Sequence, residues 1–168
     1  MKFEPIHPQK DVWDFKAADE IVTYAKAHDM AIRAHAPVWH KQVGLWMFRD
    51  DHGEQLSREA LLERLEDHMT VFGKRYGADV YCWDVINEAV AHFGKGILRD
   101  SNWTQIIGDD FLVKAFQIAR RCVPESVQLF YNDYNEWMPH KREKLLKVLR
   151  RLIAEGAPID GFGMPQHL

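Results

Sequence analysis

The sequence predicts a partial parallel α/β barrel of the (β/α)8 type, with about four parallel strands and flanking helices forming one unit over residues 1–168. Three observations carry that expectation. Segments with helical spacing of apolar residues alternate with short strand-like runs, the pattern of a parallel sheet covered by helices. Each run ends, on its C-terminal side, in residues able to bind a ligand or transfer a proton. In a (β/α)8 barrel those ends share one face, where active sites are built. No glycine-rich phosphate loop follows any run, which disfavours the alternative that alternation allows, a doubly wound nucleotide-binding sheet.

The elements follow in order. The stretch DFKAADEIVTYAKAH (14–28) places Phe15, Ala18, Ile21, Val22 and Ala25 on one helical face. MAIRAH (30–35) reads as a strand whose end, Arg33-Ala34-His35, runs on to Trp39-His40. In SREALLERLEDHMTVFGKRYG (57–77), Ser57 is placed to cap a helix striped by Leu61, Leu62, Leu65, Met69 and Phe72, with Gly77 ending it. DVYCWDV (79–85) is the second strand and leads into Asn87-Glu88. DDFLVKAFQIARRC (109–122) is helical, VQLFYND (127–133) is a strand ending in Tyr131-Asn132-Asp133, and KREKLLKVLRRLIAEG (141–156) is a helix closed by Gly156. PIDGFGM (158–164) is the last strand, followed by Gln166-His167. These apolar stripes are core-packing faces, the ordinary reason for helical amphipathicity.

Composition narrows the function. Lys plus Arg number 22 against 25 Asp plus Glu, a net charge of −3, so there is no electrostatic case for nucleic acid or an anionic membrane as partner. No apolar run approaches the ~20 residues of a membrane span. The opening MKFEPIHPQK has no apolar h-region, so no signal peptide is visible. Two cysteines cannot build a disulfide framework, and Cys82 and Cys122 are expected to be buried thiols. The pattern calls for neither metal nor cofactor.

The chemistry concentrates at YCWDVINEAV (81–90), where a strand finishes in a carboxamide beside a carboxylate. An isolated Asn-Glu pair is ordinarily a solvated loop. At the end of one strand among several with polar ends, it suits sugar chemistry. Asn87 could hold a sugar hydroxyl while Glu88 hands a proton to a leaving glycosidic oxygen. Sugars present apolar C–H faces, so Trp39, Trp46 and Trp83, at or near strand ends, are candidate platforms, although a tryptophan taken singly is more often core.

Five motifs resemble the glycoside hydrolase family 10 xylanases. WDVINEAV is similar to that family's W-D-V-x-N-E-A acid/base motif, and RAHAPVWH to its R-G-H-x-L-x-W-H stretch at strand three. LFYNDYNEW resembles its strand-five Y-N-D-Y-N, IDGFGMPQHL its strand-six D-G-I-G-x-Q-x-H, and Met1-Lys2-Phe3-Glu4 the tail of its strand-two motif. The resemblance covers essentially the whole chain and implies a retaining endo-β-1,4-xylanase of TIM-barrel architecture acting on xylan or xylo-oligosaccharide. It implies Glu88 as general acid/base, with Asn87 holding the sugar 2-hydroxyl. Lys2, His35 and Trp39 would line the non-reducing-side subsites. His167 would orient the nucleophile, Gln166 would offer the amide contact usual there, and Asn132 and Asp133 would support the site from behind. It also implies export of the parent enzyme.

The sequence departs from the pattern. Ala34, Ala36 and Pro37 replace the family's Gly, Thr and Leu around His35, and Pro165 stands where a Gln is usual. A retaining glycosidase needs a second carboxylate about 5–5.5 Å from the first. The family's nucleophile, a strand-seven Glu, has no counterpart here, and Asp84, Asp133 and Glu136 are poorly suited to replace it. The chain is expected to supply strands three to six of a barrel that takes about 250 residues. Four strands leave two sheet edges unpaired, so a complementary barrel segment or another copy is the expected partner. Two other readings fit the residues: a non-catalytic xylan-binding or scaffold piece, and a related barrel β-glycanase of cellulase type.

Overall fold

In the computed structural model, which describes residues 2–164, four strands lie side by side in sequence order: β1 (Arg33–Val38), β2 (Cys82–Asn87), β3 (Gln128–Asn132) and β4 (Gly161–Gly163). Every pair is parallel, with Arg33 beside Cys82, Cys82 beside Gln128 and Phe130 beside Gly161. The helices are α1 (Phe3–Ile6), α2 (Lys16–Ala27), α3 (Arg58–Tyr76), α4 (Asn102–Ile106), α5 (Phe111–Cys122) and α6 (Pro139–Ala154), with a short 3-10 turn at Leu45–Met47. Parallel neighbours need a crossover, and a helix lies within each connection, so the chain is a run of β/α units forming part of a barrel wall.

Strand parity sorts the side chains. Ala34, Trp83, Val85 and Leu129 are buried, and the Trp83 ring stacks on Phe72 of α3 with centroids 5.0 Å apart. The opposite parity carries Arg33, His35, Asp84 and Phe130, side by side in the ladder. The Arg33 guanidinium lies 4.8 Å from the Phe130 ring centroid and ion-pairs with Asp84 at 2.6 Å. One face of the sheet is therefore an apolar floor under the helices and the other is a polar layer.

The helices begin and pack as their residues dictate. The Ser57 hydroxyl accepts the Ala60 N–H at 3.2 Å, capping α3. Ser101 and Thr104 form a reciprocal capping box that starts α4. Pro139 opens α6, where its missing N–H costs nothing. Where α3 crosses α5, a Cβ on Gly73 would lie 2.0 Å from the Cys122 carbonyl oxygen, so only glycine allows that approach.

Several boundaries differ from those expected. The first two strands begin about three residues later than the apolar runs suggest, because Ile32 and Val80 are already buried in the approach to the ladder before pairing starts. β1 continues through Pro37 to Val38. Ile21, Leu146 and Ile153 are exposed, so the buried stripes of α2 and α6 are narrower than the apolar content suggested. Cys82 is buried as expected, and burial pushes its thiol up to about 11, whereas Cys122 is only half-buried, its sulfur 3.4 Å from the Thr70 hydroxyl. Among the described residues, no helix is long and apolar enough to cross a membrane.

Candidate active site

Glu88 is the first residue beyond β2, and its backbone is left-handed, with φ +56°. A residue with a Cβ avoids that region by roughly 1–2 kcal/mol, so the surroundings must hold it. Its N–H donates to the Asn132 carbonyl of β3 at 2.8 Å, and its own carbonyl accepts from Arg99 Nε at 3.2 Å. Beyond it, the Tyr131 hydroxyl accepts the N–H groups of Ala89 and Val90, each at 3.1 Å. The left-handed turn lifts the Glu88 carboxyl out of the strand at the C-terminal edge of the sheet.

Three side chains then form a line. Asn132 Nδ2 donates to Asn87 Oδ1 at 2.8 Å, and Asn87 Nδ2 donates to Glu88 Oε1 at 3.3 Å. Asn87 and Asn132 are buried and Glu88 is half-buried, so the carboxylate is the open end of a fixed chain of amides. Asn132 sets the orientation of Asn87, which in turn presents its amide beside the acid.

Behind this line is a fully buried ion pair. Asp133 Oδ1 lies 2.9 Å from Lys141 Nζ, both side chains at 0% exposure. The other Asp133 oxygen accepts the Tyr131 hydroxyl at 2.6 Å, and Lys141 also donates to the Val90 carbonyl at 2.7 Å. Burial draws the Lys141 ammonium below its ordinary value, opposed by the Asp133 charge, and burial drives the Tyr131 hydroxyl well above its own. The network ties β3, α6 and the segment after Glu88 together through charge-assisted bonds.

The remaining expected site residues divide. His35 Nδ1 is 2.9 Å from Asp84 Oδ2, so the same carboxylate that pairs with Arg33 fixes the imidazole; the His35–Ala36 peptide is cis. Lys2 Nζ sits 4.7 Å from the Trp39 ring centroid, and the Trp39 carbonyl accepts from Trp103 Nε1 at 2.8 Å. Trp39, Asn87 and Glu88 line one narrow cavity, whereas His35 opens onto a neighbouring cleft with Arg33, Asp84, Asn132 and Met164. Gln166 and His167 lie outside the described residues. Trp83 is no platform: at 1% exposure it belongs to the floor, since it alternates with the polar-facing Asp84. Trp46 is half-buried against Phe3 and His7. Neither Asp84 nor Asp133 is a free nucleophile, because both are consumed by cations.

Arg33, Arg99 and Lys141 were not among the expected site residues. Lys141 was nonetheless legible: it opens the spacing 141, 145, 148, 152 that α6 buries. Among the described residues, no cluster of side chains is suited to a metal ion.

An acid and an amide at the end of a parallel strand, with histidine and tryptophan at the end of the next, define a carbohydrate-hydrolase type of barrel site. The chain belongs to glycosyl hydrolase family 10, whose family model matches residues 1–168. It is 46% identical over 99% of its length to endo-1,4-beta-xylanase B of Paenibacillus barcinonensis and 47% identical to endo-1,4-beta-xylanase A of Caldicellulosiruptor saccharolyticus, covering 50% and 48% of those proteins. The crystal structure of the Paenibacillus barcinonensis xylanase complexed with a conduramine derivative superposes with a TM-score of 0.95, covering 99% of this chain and 50% of that one. A mutant protein in complex with xylotriose, 46% identical, gives the same score and the same coverage. The chain spans about half the length of the curated relatives it matches.

Proposed function

We propose that this chain carries the acid/base half of a retaining endo-β-1,4-xylanase site. Glu88 protonates the glycosidic oxygen as the bond to the anomeric carbon breaks, then takes a proton from the water that releases the glycosyl intermediate. Asn87, oriented by Asn132, holds the 2-hydroxyl of the sugar being transferred. Lys2, His35 and Trp39 line the subsites on the non-reducing side, while the family resemblance gives Gln166 the amide contact to substrate and His167 the orienting of the nucleophile. The nucleophilic carboxylate comes from a complementary barrel segment, facing Glu88 at about 5–5.5 Å. The working enzyme is inferred to act outside the cell, since the family resemblance implies export of the parent enzyme. The observation that supports this reading best is the line Asn132–Asn87–Glu88 across adjacent strand ends, with Glu88 turned out by its left-handed backbone.

The test is to complete the barrel by joining the chain to the complementary portion of the Paenibacillus barcinonensis relative, and to measure reducing ends released from xylan. The completed barrel should hydrolyse xylan and the isolated chain should not. Glu88→Gln should lower the rate by roughly 10²–10⁴-fold, the usual worth of a general acid. A completed barrel that binds xylo-oligosaccharide without cleaving it would leave the binding-piece reading standing instead.

A further inference from the structure

The segment after Glu88 doubles back on itself. Val90 bridges Leu98 antiparallel, the Arg99 N–H donates to the Ala89 carbonyl at 2.8 Å, and the Ala91 N–H donates to the Ile97 carbonyl at 2.9 Å. This return brings Arg99 opposite Ala89 and lets its side chain reach one residue further, to the Glu88 carbonyl. The grip on residues 88–90 is therefore two-sided. Tyr131, from β3, holds the N–H groups of Ala89 and Val90, whereas Arg99 holds the carbonyls of Glu88 and Ala89. Arg99 Nη2 is buried and has no hydrogen-bond partner among the described residues, and the side chain lines the same narrow cavity as Trp39, His40, Asn87 and Glu88. A guanidinium is costly to bury with an unpaired N–H. Among the described residues, its one side-chain bond goes to the backbone oxygen of the acid residue. Without that bond, the Glu88–Ala89 peptide is held from one side alone, by Tyr131 at the Ala89 N–H, and the left-handed turn loses one of the contacts that offset its cost.

We propose that Arg99 is a positioning residue for Glu88, holding the carboxyl where its proton reaches the leaving glycosidic oxygen. This rests on the xylanase reading and goes beyond it, because it makes one step of the reaction depend on a residue that acts through the Glu88 backbone. Breaking a bond to an ordinary sugar requires the proton of Glu88, since a sugar alkoxide leaves poorly. Breaking a bond to 2,4-dinitrophenolate does not, because that group departs as a stable anion. Loss of alignment therefore penalises the first substrate and spares the second.

The experiment measures kcat/KM, which reports bond cleavage, on xylotetraose and on 2,4-dinitrophenyl β-xylobioside in the completed barrel, with Glu88→Gln setting the limiting ratio. For Arg99→Met, the xylotetraose value should fall by about 10²-fold, the cost of a misplacement of order 1 Å, with the aryl glycoside nearly unchanged. Arg99→Lys, which keeps the charge but lacks the planar fork, should fall between. An equal loss on both substrates, or no loss on either, overturns the proposal. If Arg99→Met does not fold, Arg99→Lys decides alone, and an unaltered substrate ratio there overturns it. An unmutated barrel that cleaves neither substrate sinks the xylanase reading and this inference together. An unmutated barrel that cleaves both, beside an Arg99→Met that loses both equally, sinks only this one.

Discussion

Two buried clusters in this molecule handle titratable groups in opposite ways. Behind Glu88, Asp133 and Lys141 form an ion pair, and each meets a further partner, Tyr131 for the carboxylate and the Val90 carbonyl for the ammonium. Where α3 meets the segment around α1, His7 and His68 are buried in a stack of rings. His7 lies 3.6 Å from the Trp13 ring centroid, and His68 lies 3.7 Å from that of Phe3. The two imidazoles face each other with Nδ1 to Nδ1 at 3.1 Å. Only one can donate, so this pair persists by staying neutral. Burial lowers His7 to about 4, with Asp11 opposing, and lowers His68 well below its usual value. The lesson is that burial penalises charge in both clusters, and an ion pair is found only where opposite partners offset that cost.

That contrast can be broken from the charged side first. Lys141→Met removes the cation and strands the Asp133 carboxylate; stability of the completed barrel to urea should fall by about 3–5 kcal/mol. Adding Asp133→Asn to that variant should recover much of the loss, because the stranded charge is then gone. Tyr131→Phe leaves the charges paired but deprives Asp133 of one donor and two backbone N–H groups of their acceptor; about 1–3 kcal/mol is expected by the same measurement.

From the neutral side the perturbation is pH. Both histidines have folded-state values below the unfolded 6.5, so their contribution is fully present above pH 6.5. As pH falls from 6.5 toward 4 the unfolded chain takes up protons that the fold refuses, and stability should drop by up to roughly 1.4 kcal/mol per pH unit for each group. Urea titrations across that range check the slope. The smallest change expected is from His68→Phe, which replaces one ring by another and removes a buried imidazole. Stability at pH 7.5 should move by less than about 1.5 kcal/mol, while the slope between pH 6.5 and 4 should flatten. An unaltered slope would show that the pair is not its source.

The legible parts of the molecule were those with periodicity. Four helices and four strands follow from spacing alone, and Asn87, Glu88 and Trp39 do lie together where β1 and β2 end, whereas His35 lies within β1 and opens onto the cleft beside them. Single side chains whose meaning depends on the partner they reach were harder. Trp83 stands in the sequence as a candidate platform for which core is the commoner outcome, and its neighbour Asp84 decides for the core, since adjacent strand residues point to opposite faces. Lys141 is a charged residue whose burial is legible only from its register with Leu145, Val148 and Leu152. Arg99 lies in LRDSNW, which has no period at all, and its role follows only from the doubling back of residues 89–99. The three-residue offset in β1 and β2 has the same origin: burial precedes pairing, and hydropathy reports burial.

The missing methyl at Gly73 has reach. One helix of the tight crossing stacks Phe72 on Trp83, and the other begins with Phe111 in the wall of the cavity beside the acid. A single added carbon would wedge those two cylinders apart and tilt the ribbon they cradle. The aim of a proton donor is thus hostage to a hydrogen atom on the opposite side of the wall.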